Sequence, residues 1–187
     1  MSTVWFIRHG RTDWNEAGLM QGRTDISLND AGRAALNECP ASLKCCALPC
    51  FSSPLARARE TAIALSLQEP QLVPALIEMD WGDWEGRTLR DLRRELGPSM
   101  AVDEDRGLDF RPGGGESPRE VGARAKLWLE ELPCVIDECV VVTHKGVIRA
   151  LMAIALGWNM LGSPPVRLRW ECAHGFTIGD SGELELA

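Results

Sequence analysis

Two strongly apolar runs in this chain each end on a histidine that is followed within two residues by glycine. Thr3-Val4-Trp5-Phe6-Ile7 leads into Arg8-His9-Gly10, and Cys139-Val140-Val141-Val142-Thr143 leads into His144-Lys145-Gly146. Runs this apolar read as strands covered on both faces, the kind found at the centre of a parallel sheet. Ligands of open α/β sheets collect just outside the carboxyl ends of such strands. The chain holds only three histidines, so two of them at strand ends constrain fold and chemistry together.

The rest of the chain alternates in the same sense. A polar, glycine-bearing stretch runs to about Ser27, and a helix is expected from Asn29 or Asp30 toward Cys39. Cys46–Ser52 reads as a second strand, with Pro49 pushing it toward an edge. Ser53-Pro54 reads as a helix start, serine as cap and proline in the first turn. Leu55, Ala58, Ala62 and Leu65 give that helix its apolar face. Leu72–Ile77 reads as a short strand broken by Pro74 and ending at Glu78. Thr88–Leu96 reads as a helix stopped by Gly97-Pro98, with Asp103–Gly115 as loop. Ser117-Pro118-Arg119-Glu120 is a capping box opening a helix to about Leu132. Glu138–Thr143 is a strand and Gly146–Leu156 an apolar helix. Short strands are expected near Val166–Trp170, Gly175–Ile178 and Leu184–Leu186. This order predicts an α/β fold, a three-layer α/β/α sandwich with a mostly parallel central sheet, in one domain over residues 1–187.

Charge and cysteine usage exclude several classes. A net charge of −7 and a pI near 5.0 argue against nonspecific nucleic-acid binding, which needs a basic face. No apolar run approaches the roughly 18 residues a membrane span requires. The first strand begins by Thr3, which leaves no room for a cleaved leader. Seven cysteines, at 39, 45, 46, 50, 134, 139 and 172, lack the paired C-x-x-C spacing of a zinc site. The cluster from Cys39 to Cys50 reads as reduced thiols of a cytoplasmic protein rather than as metal ligands.

Phosphoryl chemistry suits what remains. Arginine offers a planar fork that matches phosphate oxygens two at a time, and imidazole is a nucleophile toward phosphorus. Arg8, Arg11 and Arg23 gather near His9 in an otherwise acidic protein. Arg8 and His9 would point to opposite faces of a straight strand, so both reach one ligand only if the backbone turns, which Gly10 permits. Gly146 lets the chain enter a helix whose first amides favour an anion, and Lys145 adds charge or points to water. Arg57 and Arg59 lie roughly 200° apart on their helix, so only one faces the site, and spacing does not say which. Glu78, at a strand end, is placed to exchange a proton with a leaving alkoxide and then with water.

These residues also carry a resemblance that covers nearly the whole chain. Arg8-His9-Gly10-Arg11-Thr12 with Asn15 resembles the signature of the histidine phosphatase superfamily, also called the phosphoglycerate mutase-like family. The likeness continues through Gln21-Gly22, Asp25, Leu28, Asn29 and Gly32, through Ser52-Ser53-Pro54-Leu55-Ala56-Arg57-Ala58 with Thr61-Ala62, and through Leu76, Glu78, Gly82, Trp84, Glu85 and Gly86. Pro112–Ser117 and Val141-Val142-Thr143-His144 complete it.

The resemblance implies a phosphohistidine on His9, with Arg8, Arg57 and His144 holding the phosphoryl oxygens and Glu78 as proton donor. It selects Arg57 over Arg59. Arg11, Thr12, Asn15, Gln21, Gly22 and Lys145 would line the phosphate or substrate pocket. No metal or organic cofactor is implied. The implied partner is a small phosphorylated metabolite, not a nucleic acid or a membrane, acted on by a monomer or homodimer. Lys145 stands where the family often has glycine, which bears on how the group beyond the phosphate fits. Phosphoglycerate mutases of the family carry a stretch like R-H-Y-G after the glutamate and a tail over the pocket. This chain has Met79-Asp80-Trp81-Gly82 and ends just after its last expected strand, so a phosphatase is expected over a mutase, and both over a non-catalytic phosphate-binding regulator. The Glu78–Gly86 stretch resembles the branch that holds α-ribazole phosphatases of cobalamin synthesis. Trp14, Trp81 and Trp84 are candidates for an apolar wall, with core packing expected for at least two of them. His174 falls in no block and reads as a late-strand or surface residue.

Overall fold

The computed structural model describes residues 1–38, 47–132 and 135–187. Its sheet is built from β1 (Ser2–Arg8), β2 (Cys50–Ser52), β3 (Gln71–Leu72), β4 (Glu138–Thr143), β5 (His174–Ile178) and β6 (Leu184–Leu186), in the order β3-β2-β4-β1-β5-β6. β3, β2, β4 and β1 run parallel, and β5 and β6 each run antiparallel to the strand before them in the order. The two histidine-bearing strands are therefore neighbours at the sheet centre, in register Ile7↔Val142 and Arg8↔Thr143.

Side chains alternate across the sheet because successive residues of a strand face opposite ways. Val4, Phe6, Cys139 and Val141 pack with Phe176 against α6 (Pro118–Leu129) and α7 (Lys145–Leu156). Ile7, Val140 and Val142 pack on the other face against Ala58 and Ala62 of α3 (Ala56–Ala64) and against Leu65. Both faces are covered, which is why the two runs are apolar throughout. The result is the expected three-layer α/β/α arrangement. Among the described residues the remaining α-helices are α1 (Asp13–Glu16), α2 (Asp30–Asn37), α4 (Leu89–Leu96) and α5 (Pro98–Glu104).

Several boundaries differ from expectation. Leu72–Ile77 is not a strand. β3 stops at Leu72, and Pro74 opens a 3-10 turn over Pro74–Leu76 that buries Leu76 completely. The described part of the second strand is only Cys50–Ser52, and Cys39, Cys45, Cys46 and Cys134 lie outside the described residues. Ser53 does not cap α3. The helix starts at Ala56, whose N–H donates to Asp25 Oδ1 at 2.7 Å, while the Ser53 hydroxyl is spent on His144. α4 does stop at Leu96 with Gly97 as its C-cap, but Pro98 opens α5 rather than a loop, in the first turn that proline favours. Val166–Trp170 forms no strand. It follows Pro164-Pro165, and Leu168 and Trp170 satisfy their apolar character by packing on the α6/α7 side of the core. The Ser117–Glu120 capping box is present, and its helix ends at Leu129.

Candidate active site

Three adjacent parallel strands end together. The N–H of His9, one residue past β1, donates to Thr143 O at 2.9 Å, and the N–H of Ser53, one residue past β2, donates to Val142 O at 3.0 Å. These bonds bring His9, Ser53 and His144 to one point on the sheet rim. The imidazoles of His9 and His144 lie 5.1 Å apart between centroids, tilted by 56°, and both are buried.

Each ring is held by one nitrogen. His9 Nδ1 is 2.7 Å from Gly10 O. A carbonyl only accepts, so Nδ1 carries the proton and the neutral ring keeps its lone pair on Nε2. His144 Nε2 is 2.7 Å from Ser53 Oγ, which also accepts the Leu55 N–H at 3.3 Å. Taking the Ser53 hydroxyl as donor to His144 Nε2 puts the ring proton on Nδ1, the nitrogen left without a protein partner. Burial first, then Arg57 and Arg8, pushes His9 down to about 3. Burial, followed by His9 and Arg57, holds His144 well below the usual histidine value. Both rings are therefore neutral near pH 7, and the His9 Nε2 lone pair is available without loss of a proton.

Arg57 leaves α3 completely buried while Arg59 is exposed. Its Nη2 donates to Gly22 O at 2.7 Å and its Nη1 to Thr24 O at 3.0 Å. The same helix turn fixes the loop after β1, since Thr61 Oγ1 donates to Arg57 O at 2.6 Å and accepts the Gly10 N–H at 2.9 Å. Gly10 and Gly146 do not adopt positive φ. They are needed for space: a Cβ on Gly10 would press on Leu36, and one on Gly146 would overlap the Glu78 carboxylate.

Glu78 is buried and accepts from the N–H groups of Met79 at 2.8 Å and Gly146 at 3.2 Å. Burial raises its pKa, and those two donors with Arg57 and Arg124 only partly oppose the shift. Burial thus shifts Glu78 toward its acid form, with the carboxyl group beside the first turn of α7. Arg124, which no sequence motif singles out, holds the backbone that presents Glu78. It donates to Ala75 O at 2.6 Å, Ile77 O at 2.7 Å and Glu78 O at 3.3 Å, and pairs with Glu116 at 2.8 Å. Thr143 Oγ1 ties the same turn to β4 through Leu76 O at 2.7 Å. The available signal is an arginine on a helix whose other inward positions, Val121, Ala125 and Leu129, are apolar.

The other expected pocket residues divide. Thr12 Oγ1 and Asn15 Nδ2 both donate to Gln21 Oε1, at 2.9 and 3.2 Å, so Thr12 and Asn15 fix the Gln21 amide. Gly22 lends its carbonyl to Arg57. Arg11 is exposed, and Arg23 is paired with Asp80 and Glu116 at 3.3 and 3.4 Å, which removes it from the cationic group expected around His9. Lys145, also exposed, has its ammonium 5.6 Å from the centre of the Trp170 ring, and the Arg8 guanidinium lies 5.8 Å from the same centre. Trp81 and Trp84 stack at 6.2 Å and pack with Phe110, so they are core, and Trp14 lies against Gly86. His174 is a buried β5 residue whose ring meets Trp170 edge-on at 5.9 Å.

Among the described residues, five buried side-chain nitrogens or oxygens lack a hydrogen-bond partner: Arg8 Nε, Gln21 Nε2, Arg57 Nε, His144 Nδ1 and His174 Nε2. A buried polar atom without a partner costs about 1–3 kcal/mol, so four such groups on site residues are a strong demand for an acceptor-rich ligand. An oxyanion meets that demand. Also among the described residues, no cluster of three or more His, Cys, Asp or Glu side chains is arranged to hold a metal. Burial pushes the Cys50 and Cys139 thiols up to about 12, which makes them poor nucleophiles.

Comparison with known proteins agrees with this geometry. The chain is 34% identical over 175 residues to glucosyl-3-phosphoglycerate phosphatase of Mycolicibacterium vanbaalenii, covering 83% of this chain and 77% of that protein. It is 32% identical over 163 residues to 2,3-bisphosphoglycerate-dependent phosphoglycerate mutase of Mesorhizobium japonicum, covering 80% and 79%. Its fold matches the structure of a mycobacterial glucosyl-3-phosphoglycerate phosphatase in complex with VO3 at a TM-score of 0.83, with 27% identity over 100% of this chain and 98% of that one. TTHB049 of Thermus thermophilus matches at a TM-score of 0.72 with 34% identity over 92% of both chains. The family model of the histidine phosphatase superfamily, branch 1, matches residues 4–177. The chain belongs to that superfamily.

Proposed function

We propose that this protein is a metal-independent phosphatase that hydrolyses a small phosphomonoester through a phosphohistidine on His9. The observation that carries this reading is the bare Nε2 of a neutral His9, set beside His144 and among buried donors that have no protein acceptor. Phosphoryl transfer asks the protein mainly for positioning and for charge around the equatorial oxygens. Arg8, Arg57, Gln21 Nε2 and His144 Nδ1–H supply it here.

The steps balance on residues of this chain. His9 Nε2 forms a bond to phosphorus as the ester P–O bond breaks, and Glu78 gives its proton to the departing alkoxide. Glu78, now a carboxylate, takes a proton from water as the water oxygen attacks phosphorus and the P–N bond breaks. His9 returns to its neutral form and inorganic phosphate leaves.

Hydrolysis is preferred over a mutase reaction because Met79-Asp80-Trp81-Gly82 replaces the R-H-Y-G-like stretch of the mutases, and these residues serve internal structure. Asp80 accepts the Gly82 N–H at 2.9 Å and pairs with Arg23, and Trp81 stacks on Trp84. The fold match to a phosphatase with VO3, an oxyanion, supports the same reading. A phosphoglycerate-type ester, as named for two of the relatives, and α-ribazole 5′-phosphate are the substrates to compare. Protonated buried thiols at Cys50 and Cys139 suit a reducing, cytoplasmic setting, and no helix among the described residues is long and apolar enough to cross a membrane.

The test is release of p-nitrophenol from p-nitrophenyl phosphate without added metal, in wild type and His9→Ala. Turnover abolished by the substitution is expected; turnover only with Mg²⁺ overturns the reading. Conversion of 3-phosphoglycerate to 2-phosphoglycerate without phosphate release would favour the mutase instead.

A further inference from the structure

A cavity of about 670 Å³ opens along the first two turns of α7, beginning one residue past His144. Its floor is Lys145 and Arg149, four residues apart and so on one helix face, and its wall is the irregular segment carrying Arg167, Arg169, Trp170 and Glu171. Four basic residues and one acidic residue thus line it in a protein whose net charge is −7, with the Arg149 guanidinium 5.4 Å from the centre of the Trp158 ring. The volume lies within the range of small-molecule pockets, about 300–1,000 Å³.

Trp170 joins this cavity to the reaction centre. The Arg8 guanidinium and the Lys145 ammonium both lie close to the centre of its indole, at 5.8 and 5.6 Å. Arg8, expected at the phosphoryl group, and Lys145, on the cavity lining, thus share one indole neighbour, which sets the cavity beside the reaction centre. Like charges four apart on a helix repel. Although Lys145 keeps surface exposure, partial desolvation and then Arg149 and Arg8 lower its pKa, so the cations stand together at a cost that a bound anion would relieve.

Resting on the phosphatase reading above, we propose that this cavity binds a second anionic group, a carboxylate or phosphate, carried by the leaving alcohol of the substrate. The substrate class is then a phosphomonoester with two separated anions. Such a site ranks a phosphoglycerate-type ester above α-ribazole 5′-phosphate, whose leaving group is uncharged. It also gives Lys145, the departure from the usual glycine, a use.

The test uses substrate pairs that differ only in the second anion: 3-phosphoglycerate against sn-glycerol 3-phosphate, and fructose 1,6-bisphosphate against fructose 6-phosphate. The readout is the ratio of kcat/KM within each pair. In at least one pair the wild type should prefer the doubly anionic member by about tenfold or more, the scale of one or two charge-assisted hydrogen bonds. Arg167→Gln with Arg169→Gln, both exposed positions whose loss leaves the core intact, should bring that ratio close to one, chiefly through KM. Lys145→Met should lower it in the same direction. Ratios near one in wild type, or a preference that survives both variants, overturn the proposal while leaving the phosphatase standing. Absence of turnover of these esters and of p-nitrophenyl phosphate alike removes the phosphatase reading itself.

Discussion

His144 Nε2 and Ser53 Oγ meet at 2.7 Å with neither residue exposed. The serine joins β2 to the histidine past β4, and its proton decides which imidazole nitrogen is left to address the ligand. Ser53→Ala removes that decision and leaves a buried nitrogen unpartnered. Losing a properly aimed donor of this kind should lower kcat by about tenfold or more with a smaller change in KM. Steady-state kinetics on p-nitrophenyl phosphate measure it, and an unchanged kcat would separate Ser53 from the chemistry.

Glu78 and Gly146 form a second coupled pair, because the helix that begins beside His144 donates an N–H to the glutamate. Glu78→Gln keeps the shape and loses the transferable proton. On an alkyl phosphate kcat should fall by about 10²–10⁴. On p-nitrophenyl phosphate, whose leaving group needs no proton, the first-turnover burst of p-nitrophenol should be largely kept while the turnover after it slows, because hydrolysis of the phosphohistidine still needs the Glu78 base. Gly146→Ala would displace the carboxyl group and should reproduce the same asymmetry in weaker form.

Arg124 acts through Glu78 rather than on substrate. Its guanidinium favours the carboxylate, so Arg124→Met should raise the Glu78 pKa further and move the basic limb of the kcat/KM profile to higher pH. Arg124→Lys should move it back part of the way. A role confined to supporting the Pro74–Leu76 turn would lower activity without moving the limb.

Buried neutral histidines also make the fold sensitive to acid. His9 is held at about 3 against an ordinary value of 6.5, so between those values the unfolded chain binds a proton that the folded one refuses. Stability is complete above pH 6.5 and is lost as pH falls; at pH 5 this residue alone accounts for about 2 kcal/mol relative to pH 7. His144 is shifted in the same direction. Denaturant unfolding of His9→Gln should therefore show a flatter decline between pH 7 and pH 5 than wild type. Parallel declines would mean that another group carries the linkage.

The central strands, the two histidines and the layer order are legible because burial on both faces forces continuous apolar runs at β1 and β4. The Ser117 box is equally plain, since it is a local pairing of a hydroxyl with an amide three residues on. Ser53 misleads for a reason outside local sequence. It has the form of a helix cap, but a histidine 91 residues away takes its hydroxyl and Asp25 caps the helix instead. Arg23 looks free in the sequence because its partners Asp80 and Glu116 are distant in the chain. The Val166–Trp170 alternation matches a strand, yet its apolar side chains pack beside a helix and its arginines border a cavity. Periodicity reports that one side of a segment is buried, and leaves the burying surface unnamed.

The proposed chemistry turns on a covalent bond between phosphorus and one ring nitrogen. Wild-type protein mixed with p-nitrophenyl phosphate, quenched within the first turnover under alkaline conditions and analysed by peptide mass spectrometry, reports that bond directly. The expected result is one acid-labile phosphoryl group on His9, absent from His9→Ala and lost on chasing with water. Full turnover with no phosphoryl group at His9, or with the group on another residue, would contradict it.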